Sequence, residues 1–234
     1  MAKDASLFSK NQAIPKTISQ SIYLYIKEAI VKNKLKANQP INEKEIAKLF
    51  SISTTPVREA VLRLGVEGYV KLDSHRDALV MEVSYEELKE IFDVLGMLDG
   101  FAAGLAAEQL TPEDLEEIEE TTARMARHCG VKSIDKYLSL NAEIHLKIWS
   151  AVPNRMLRKT LLNLYDQLLR YNYARIQAFR RPGILEKSMN SHNELLNALK
   201  RKDAAEIEEL ATNHWNLLFN PSGFEAEFKE LLFP

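Results

Sequence analysis

Cysteine is almost absent from this sequence of 234 residues, where Cys129 stands alone. A single thiol cannot close an internal disulfide, so packing must hold the fold and nothing points to an oxidising compartment. Glycine and proline are scarce, 8 of each. That is too few for a chain of many tight β-turns and favours a mainly helical protein. No apolar run approaches the ~18–20 residues of a membrane helix. The opening Met1-Ala2-Lys3-Asp4-Ala5-Ser6-Leu7-Phe8 lacks the apolar stretch of a secretory signal, so the expected location is the cytoplasm. Nor does charge of one sign dominate: 31 Lys and Arg meet 33 Asp and Glu, a net of −2 with the histidines neutral. Taken whole, that balance speaks against a partner such as nucleic acid or a membrane surface. A phosphate-cradling glycine loop, a Gly-x-Ser-x-Gly elbow and a His-Glu-x-x-His pair are missing too. What remains is 46% hydrophobic and 27% charged, an ordinary globular composition.

Residues 1–15 are polar and unpatterned and read as a flexible arm. From Lys16 an apolar stripe begins (Ile18, Ile22, Tyr25, Ile26, Ala29, Ile30) at helical spacing. The polar stretch from Lys32 to Pro40 breaks it. A short helix opens at Asn42, with Glu45 at capping-box spacing and an apolar face of Ile46, Ala47, Leu49 and Phe50. Only Ser51-Ile52-Ser53 separates it from a third helix. Ser53 or Thr54 caps that helix, Pro56 fits its first turn, and Val57, Val61, Leu62 and Leu64 form its apolar face. Two short helices joined by a three-residue turn make a helix-turn-helix. The β-prone runs Val70–Asp73 and Ala78–Val83 flank a polar turn and add a hairpin, a wing.

From Ser84 onward there are only helix signals, starting at Ser84, Thr111-Pro112, Ser133 and Asp203. Pro153 interrupts one helix, and the next is expected to run to about Arg181. The reading is therefore a mainly α protein with a flexible arm over 1–15, a winged helix-turn-helix over 16–83, and an antiparallel bundle of about six helices over 84–234. The charge divides along the same line. Residues 1–78 hold 13 Lys and Arg against 8 Asp and Glu, net +5, and residues 79–234 hold 18 against 25, net −7. The near-neutral total is a cancellation, and the winged module is the basic one.

The second helix of a helix-turn-helix lies in the major groove with its first turns toward the bases. Thr54, Thr55, Val57 and Arg58 occupy those turns, and arginine suits a bidentate contact with guanine. Lys44 falls near the phosphate backbone, while His75 and Arg76 tip the wing. The run Asn42-Glu43-Lys44-Glu45-Ile46-Ala47, then Ser53-Thr54-Thr55-Pro56-Val57-Arg58-Glu59-Ala60-Val61-Leu62-Arg63-Leu64 and Glu67-Gly68-Tyr69-Val70, resembles the winged domain of GntR-family transcription regulators. The resemblance implies operator contact for Lys44, Thr55, Arg58, His75 and Arg76. Thr54 stands where that family often has a base-reading arginine. Ser51 and Asp77 stand where glycines are usual.

In the bundle, Asn141 and His145 lie one turn apart on one face, and His192 and His214 lie on two later helices. Three imidazoles converging from three helices suit a divalent ion; a core histidine satisfied by a hydrogen bond is the alternative for each. The region from Ser84 resembles the FCD ligand-binding domain of the FadR subgroup of GntR regulators. That resemblance implies a metal set of Asn141, His145, His192 and His214, with zinc first and nickel or manganese as alternatives. Asn141 replaces the family's aspartate. Leu95 stands where many such domains carry an arginine for an effector carboxylate, which turns attention to Arg170 and Arg175; each could instead be a solvated or salt-bridging residue. The expected function is a homodimeric, DNA-binding transcriptional repressor, not an enzyme. Double-stranded operator DNA and a small-molecule effector, an organic acid or related metabolite, are its expected partners. The rivals are a metal-dependent bundle enzyme, with Glu143 or Glu194 as acid/base, and a DNA-binding dimer without an effector.

Overall fold

A computed structural model describes residues 17–72, 78–82 and 84–218. The chain divides into two compact units, one over Met1–Ile30 and Lys34–Met81, the other over Val31–Asn33 and Glu82–Pro234. Among the described residues no helix is long and apolar enough to cross a membrane.

The first unit is built from α1 (Ile18–Val31), β1 (Pro40–Ile41), α2 (Glu43–Leu49), α3 (Thr54–Val66), β2 (Val70–Lys71) and β3 (Ala78–Val80). α1 buries Ile22, Tyr23, Ile26 and Ile30, the i, i+4, i+8 face of an amphipathic helix. α3 buries Val57, Ala60, Val61 and Leu64. Leu49, Phe50 and Leu62, expected on apolar faces, are exposed instead; Phe50 packs edge-on against Tyr25 with ring centroids 5.0 Å apart. The expected hairpin forms between β2 and β3. It gains a third strand, because β1 pairs antiparallel with β3 and places it centrally in the order β1-β3-β2. Two residues carry no readable period, so β1 exists only through its long-range pairing. α1 is tied to the end of α3 through one carboxylate. Glu67 accepts from Tyr23 Oη at 2.5 Å and pairs with Lys27 at 3.3 Å and Arg63 at 3.0 Å. Arg63 also lies 3.9 Å over the Tyr23 ring.

The second unit is helical throughout: α4 (Tyr85–Ala107), α5 (Pro112–Ala126), α6 (Ile134–Ser150), α7 (Arg155–Leu168), α8 (Asn172–Phe179), α9 (Ile184–Arg201) and α10 (Ala204–Trp215). The caps largely match their sequence signals. Ser84 accepts from Glu87 N, Asp203 accepts from Glu206 N, and Thr111 with Asp114 closes a full capping box. Ser133 makes no cap; its hydroxyl donates to the His128 and Gly130 carbonyls. The long helix expected up to Arg181 is broken into α7 and α8 by a 3₁₀ turn at Leu169–Tyr171, so the described residues of this unit form seven α-helices rather than about six. No glycine or proline marks that break. Glu87 accepts from Arg170 Nη2 and from Tyr171 Oη, each at 2.5 Å, so a tertiary contact holds the turn.

α10 lies very close to α4. A Cβ placed on Gly100 would meet Thr212 Oγ1 at 2.0 Å and the Glu208 carbonyl at 2.6 Å, and one on Gly96 would meet the Thr212 carbonyl at 3.1 Å. Only hydrogen at Gly100 permits the approach, and a methyl at Gly96 would be tight. Gly100→Ala is expected to destabilise the bundle by about 1–3 kcal/mol through overpacking, read as a lower urea midpoint by far-UV circular dichroism. An unchanged midpoint would contradict the close crossing. In the first unit, Ser51 sits in the helix-turn-helix turn at φ 53°, a left-handed conformation that glycine adopts without penalty. Ser51→Gly should therefore stabilise that unit by up to about 1 kcal/mol.

Candidate functional site

Each unit carries a candidate site. In the first, Asn42 caps α2 by accepting from the backbone N–H groups of Lys44 and Glu45, both at 3.1 Å. That cap starts the helix one residue before Lys44, whose side chain is exposed. Ser53 takes the cap position of α3 in an extended conformation without a side-chain bond. The buried face of α3 begins at Val57 and leaves Thr54, Thr55 and Arg58 exposed over its first turns, the arrangement a groove-reading helix requires. His75 and Arg76 lie outside the described residues.

The second site sits in the middle of the bundle. His145 on α6, His192 on α9 and His214 on α10 are all buried, and one ring nitrogen from each lies within 4.8 Å of the others. The ring centroids are separated by 4.3 Å for His192 and His214, 5.1 Å for His145 and His214, and 5.6 Å for His145 and His192. Partners set the tautomers. His192 Nδ1 faces the Ser188 carbonyl at 2.7 Å, which requires a proton on Nδ1 and leaves a lone pair on Nε2. Asn141, buried beside it, brings its amide nitrogen to that Nε2 at 3.1 Å. His214 Nδ1 lies 3.1 Å from the Ser191 hydroxyl. Neither His145 Nδ1 nor His145 Nε2 has a hydrogen-bond partner among the described residues.

This donor set fits a divalent ion. The imidazoles are close and buried, and both nitrogens of His145 lack a hydrogen-bond partner among the described residues. Burial first, and then the neighbouring imidazole of His145, pushes His192 down to about 3; burial with the neighbouring imidazoles and Arg175 lowers His214 as well. Both are therefore neutral, the form that ligates a metal. Asn141 fits only if its amide turns, since the nitrogen that now donates to His192 would give way to the carbonyl oxygen. The three histidines would hold the ion, and the ion would supply a Lewis-acidic point for an anionic ligand atom.

Beside the cluster lies a cavity of about 20 Å³, lined by Phe92, Asn141, Arg175, Phe179, Ile184, Ser188, His214, Trp215 and Leu217. That is room for about one water molecule. Arg175 on α8 is buried at its wall, and its Nε has no hydrogen-bond partner among the described residues. Arg170 is not brought there: its guanidinium is engaged by Glu87. Leu95, where an arginine clamp was sought, is a fully buried core residue.

One participant was not foreseen. Asp99 on α4 is 1% exposed, and its carboxylate accepts from both indoles: Trp149 Nε1 on Oδ1, and Trp215 Nε1 on Oδ2 at 2.6 Å. Oδ2 also lies 3.2 Å from His145 Nδ1. The signal was present in the sequence. Asp99 falls on the same helical face as Leu95, Gly96, Ala102, Ala103 and Ala106, an acid on an otherwise apolar stripe. Trp149 and Trp215 serve as both packing and donors.

The lowered histidines give stability a pH dependence. In the unfolded chain each imidazole takes up a proton near the ordinary value of 6.5, while folded His192 resists protonation down to about 3. The metal-free bundle should therefore lose stability progressively as pH falls below about 6.5. Its urea midpoint is expected to be lower at pH 5 than at pH 7.5, and the difference should shrink in His192→Gln.

Comparisons with known proteins place each unit in a family. Residues 18–80 match the family described as bacterial regulatory proteins of the gntR family, and residues 90–217 match the FCD domain. The chain is 22% identical to the HTH-type transcriptional repressor RspR of Escherichia coli K12, over 84% of this chain and 85% of that one. It is 29% identical to the HTH-type transcriptional regulator McbR of the same strain, over 72% and 76%. The solved structure of E. coli McbR/YncC superposes with a TM-score of 0.71 at 24% identity, covering 86% of this chain and 94% of the other. A winged module followed by a helical sensor unit is thus shared in sequence and in fold, and the chain belongs to the GntR family of transcription regulators, with an FCD domain as its helical unit.

Proposed function

We propose that this regulator is a cytoplasmic repressor that binds operator DNA as a homodimer and releases it when a small organic anion enters the FCD bundle beside a metal ion. The observation that carries this reading is the convergence of three buried imidazoles next to the unpartnered Arg175 Nε. Zinc held by His145, His192 and His214, with Asn141 as a neutral fourth donor, would face a cationic wall. A carboxylate could then meet the metal and the guanidinium together. In this reading Arg175, on α8, takes over the clamp that Leu95 cannot provide.

On the DNA, Arg58 and Thr55 reach base edges and Lys44 a phosphate. The dimer brings two such helices to symmetric half-sites. The exposed stripe Val94, Met97 and Phe101 on α4 supports a second copy as its cover. Because α4 also carries Asp99 on its inner face, movement at the centre and movement at that surface involve the same helix. The enzyme reading gains nothing from the geometry: Glu143 is paired with Arg124 at 3.4 Å on the surface, and Glu194 is exposed.

The test is fluorescence anisotropy of labelled DNA from the regulator's own upstream region, with salt titration, with and without zinc and a panel of small carboxylates. Arg58→Ala should cost about 1–3 kcal/mol at the specific site and little on random DNA. Arg175→Met should leave operator affinity near wild type and abolish the response to carboxylate. Specific binding that no carboxylate alters in the zinc-loaded protein would overturn the sensor reading. Absence of specific binding at low salt would overturn the operator reading.

A further inference from the structure

An ionised carboxylate in a protein core costs several kcal/mol unless charge-assisted hydrogen bonds replace its water. Asp99 has them, and their origin is informative. An indole N–H only donates, so Trp149 and Trp215 each demand an acceptor, and one carboxylate answers both. Each oxygen is fixed by a different indole, on a different helix. The Oδ2 held by Trp215 is also the oxygen 3.2 Å from His145 Nδ1, close enough for an ion pair but out of line for a hydrogen bond, so a small turn of the imidazole would complete the contact. The carboxylate stands outside the trio of mutually close ligand atoms, which contains only the three histidines. It therefore acts on the cluster through His145.

Charge points the same way. A dication held by three imidazoles and the amide of Asn141 adds two positive charges to a core that already holds Arg175. Among the described residues, Asp99 is the one buried acid. The family's acid is missing at position 141, and this chain keeps a carboxylate one residue further from the metal, behind His145.

We propose that Asp99, clamped by Trp149 and Trp215, is the positioning residue of the metal centre. It holds His145 with the proton on Nδ1 and the lone pair on Nε2 toward His192 and His214, and it supplies the negative charge that Asn141 does not. This rests on the metal reading above. It also makes the chain's two tryptophans reporters of the centre, since their rings lie 5.9 and 4.8 Å from His145.

The experiment is a titration of the metal-free, full-length protein with zinc ion alone, against a competing chelator, with tryptophan emission as a second signal. Asp99→Asn should weaken zinc binding 10–100-fold, the range for a partner behind a ligating histidine. Adding Asn141→Asp to that variant should restore at least tenfold of the loss by returning a carboxylate to the centre. Zinc affinity within twofold of wild type in Asp99→Asn would overturn the proposal while leaving the metal reading intact. Equal and negligible affinity in wild type and His145→Ala would overturn both. A measurement independent of how the variant folds is the ¹⁵N spectrum of the wild-type imidazoles. His145 protonated on Nδ1 supports the proposal, and His145 protonated on Nε2 in the metal-free protein overturns it.

Discussion

The bundle is organised by how closely α10 can lie on α4. With Gly96 and Gly100 facing it, the backbone of α10 comes within reach of the bare Cα atoms of α4, and Thr212 fills the space that side chains would otherwise take. That approach carries His214 and Trp215, neighbours in sequence, into the middle of the unit. Consecutive helical residues point about 100° apart. One therefore faces the other imidazoles while the other reaches Asp99.

The two sites ask different things of the chain. The groove-reading helix needs exposed side chains on a rigid turn, and Ser51 holds that turn in a left-handed conformation that costs a non-glycine residue some strain. The bundle centre needs the reverse, polar groups withdrawn from water and satisfied by one another. Ser188 O orients His192, Ser191 orients His214, and the two indoles hold Asp99. Burial keeps His192 and His214 neutral, which suits them to a metal and makes the core sensitive to acid.

Much of this was legible in residues. The helix starts at Asn42, Ser84, Thr111 and Asp203 follow from short side chains that cap their own backbone, a local matter that sequence records directly. The spacing of Asn141 and His145 places them on one face for the same reason. Three features escaped because their causes are distant in sequence. β1 is a strand only where β3 pairs with it. The break between α7 and α8 is held by Glu87, more than eighty residues away. Asp99 gains its role from tryptophans on two other helices. Net charge misled when taken as a single number, since a basic winged module and an acidic bundle nearly cancel.

The smallness of the cavity has a consequence for how such a bundle can sense. A space of about 20 Å³ is a seat for a few atoms, so a metabolite cannot simply fill a waiting pocket. It has to displace some of the α4, α6, α8, α9 and α10 side chains that line the space, and recognition and displacement become a single event. Discrimination then lies in which molecules recover that work, and a ligand that fits without moving anything would be silent.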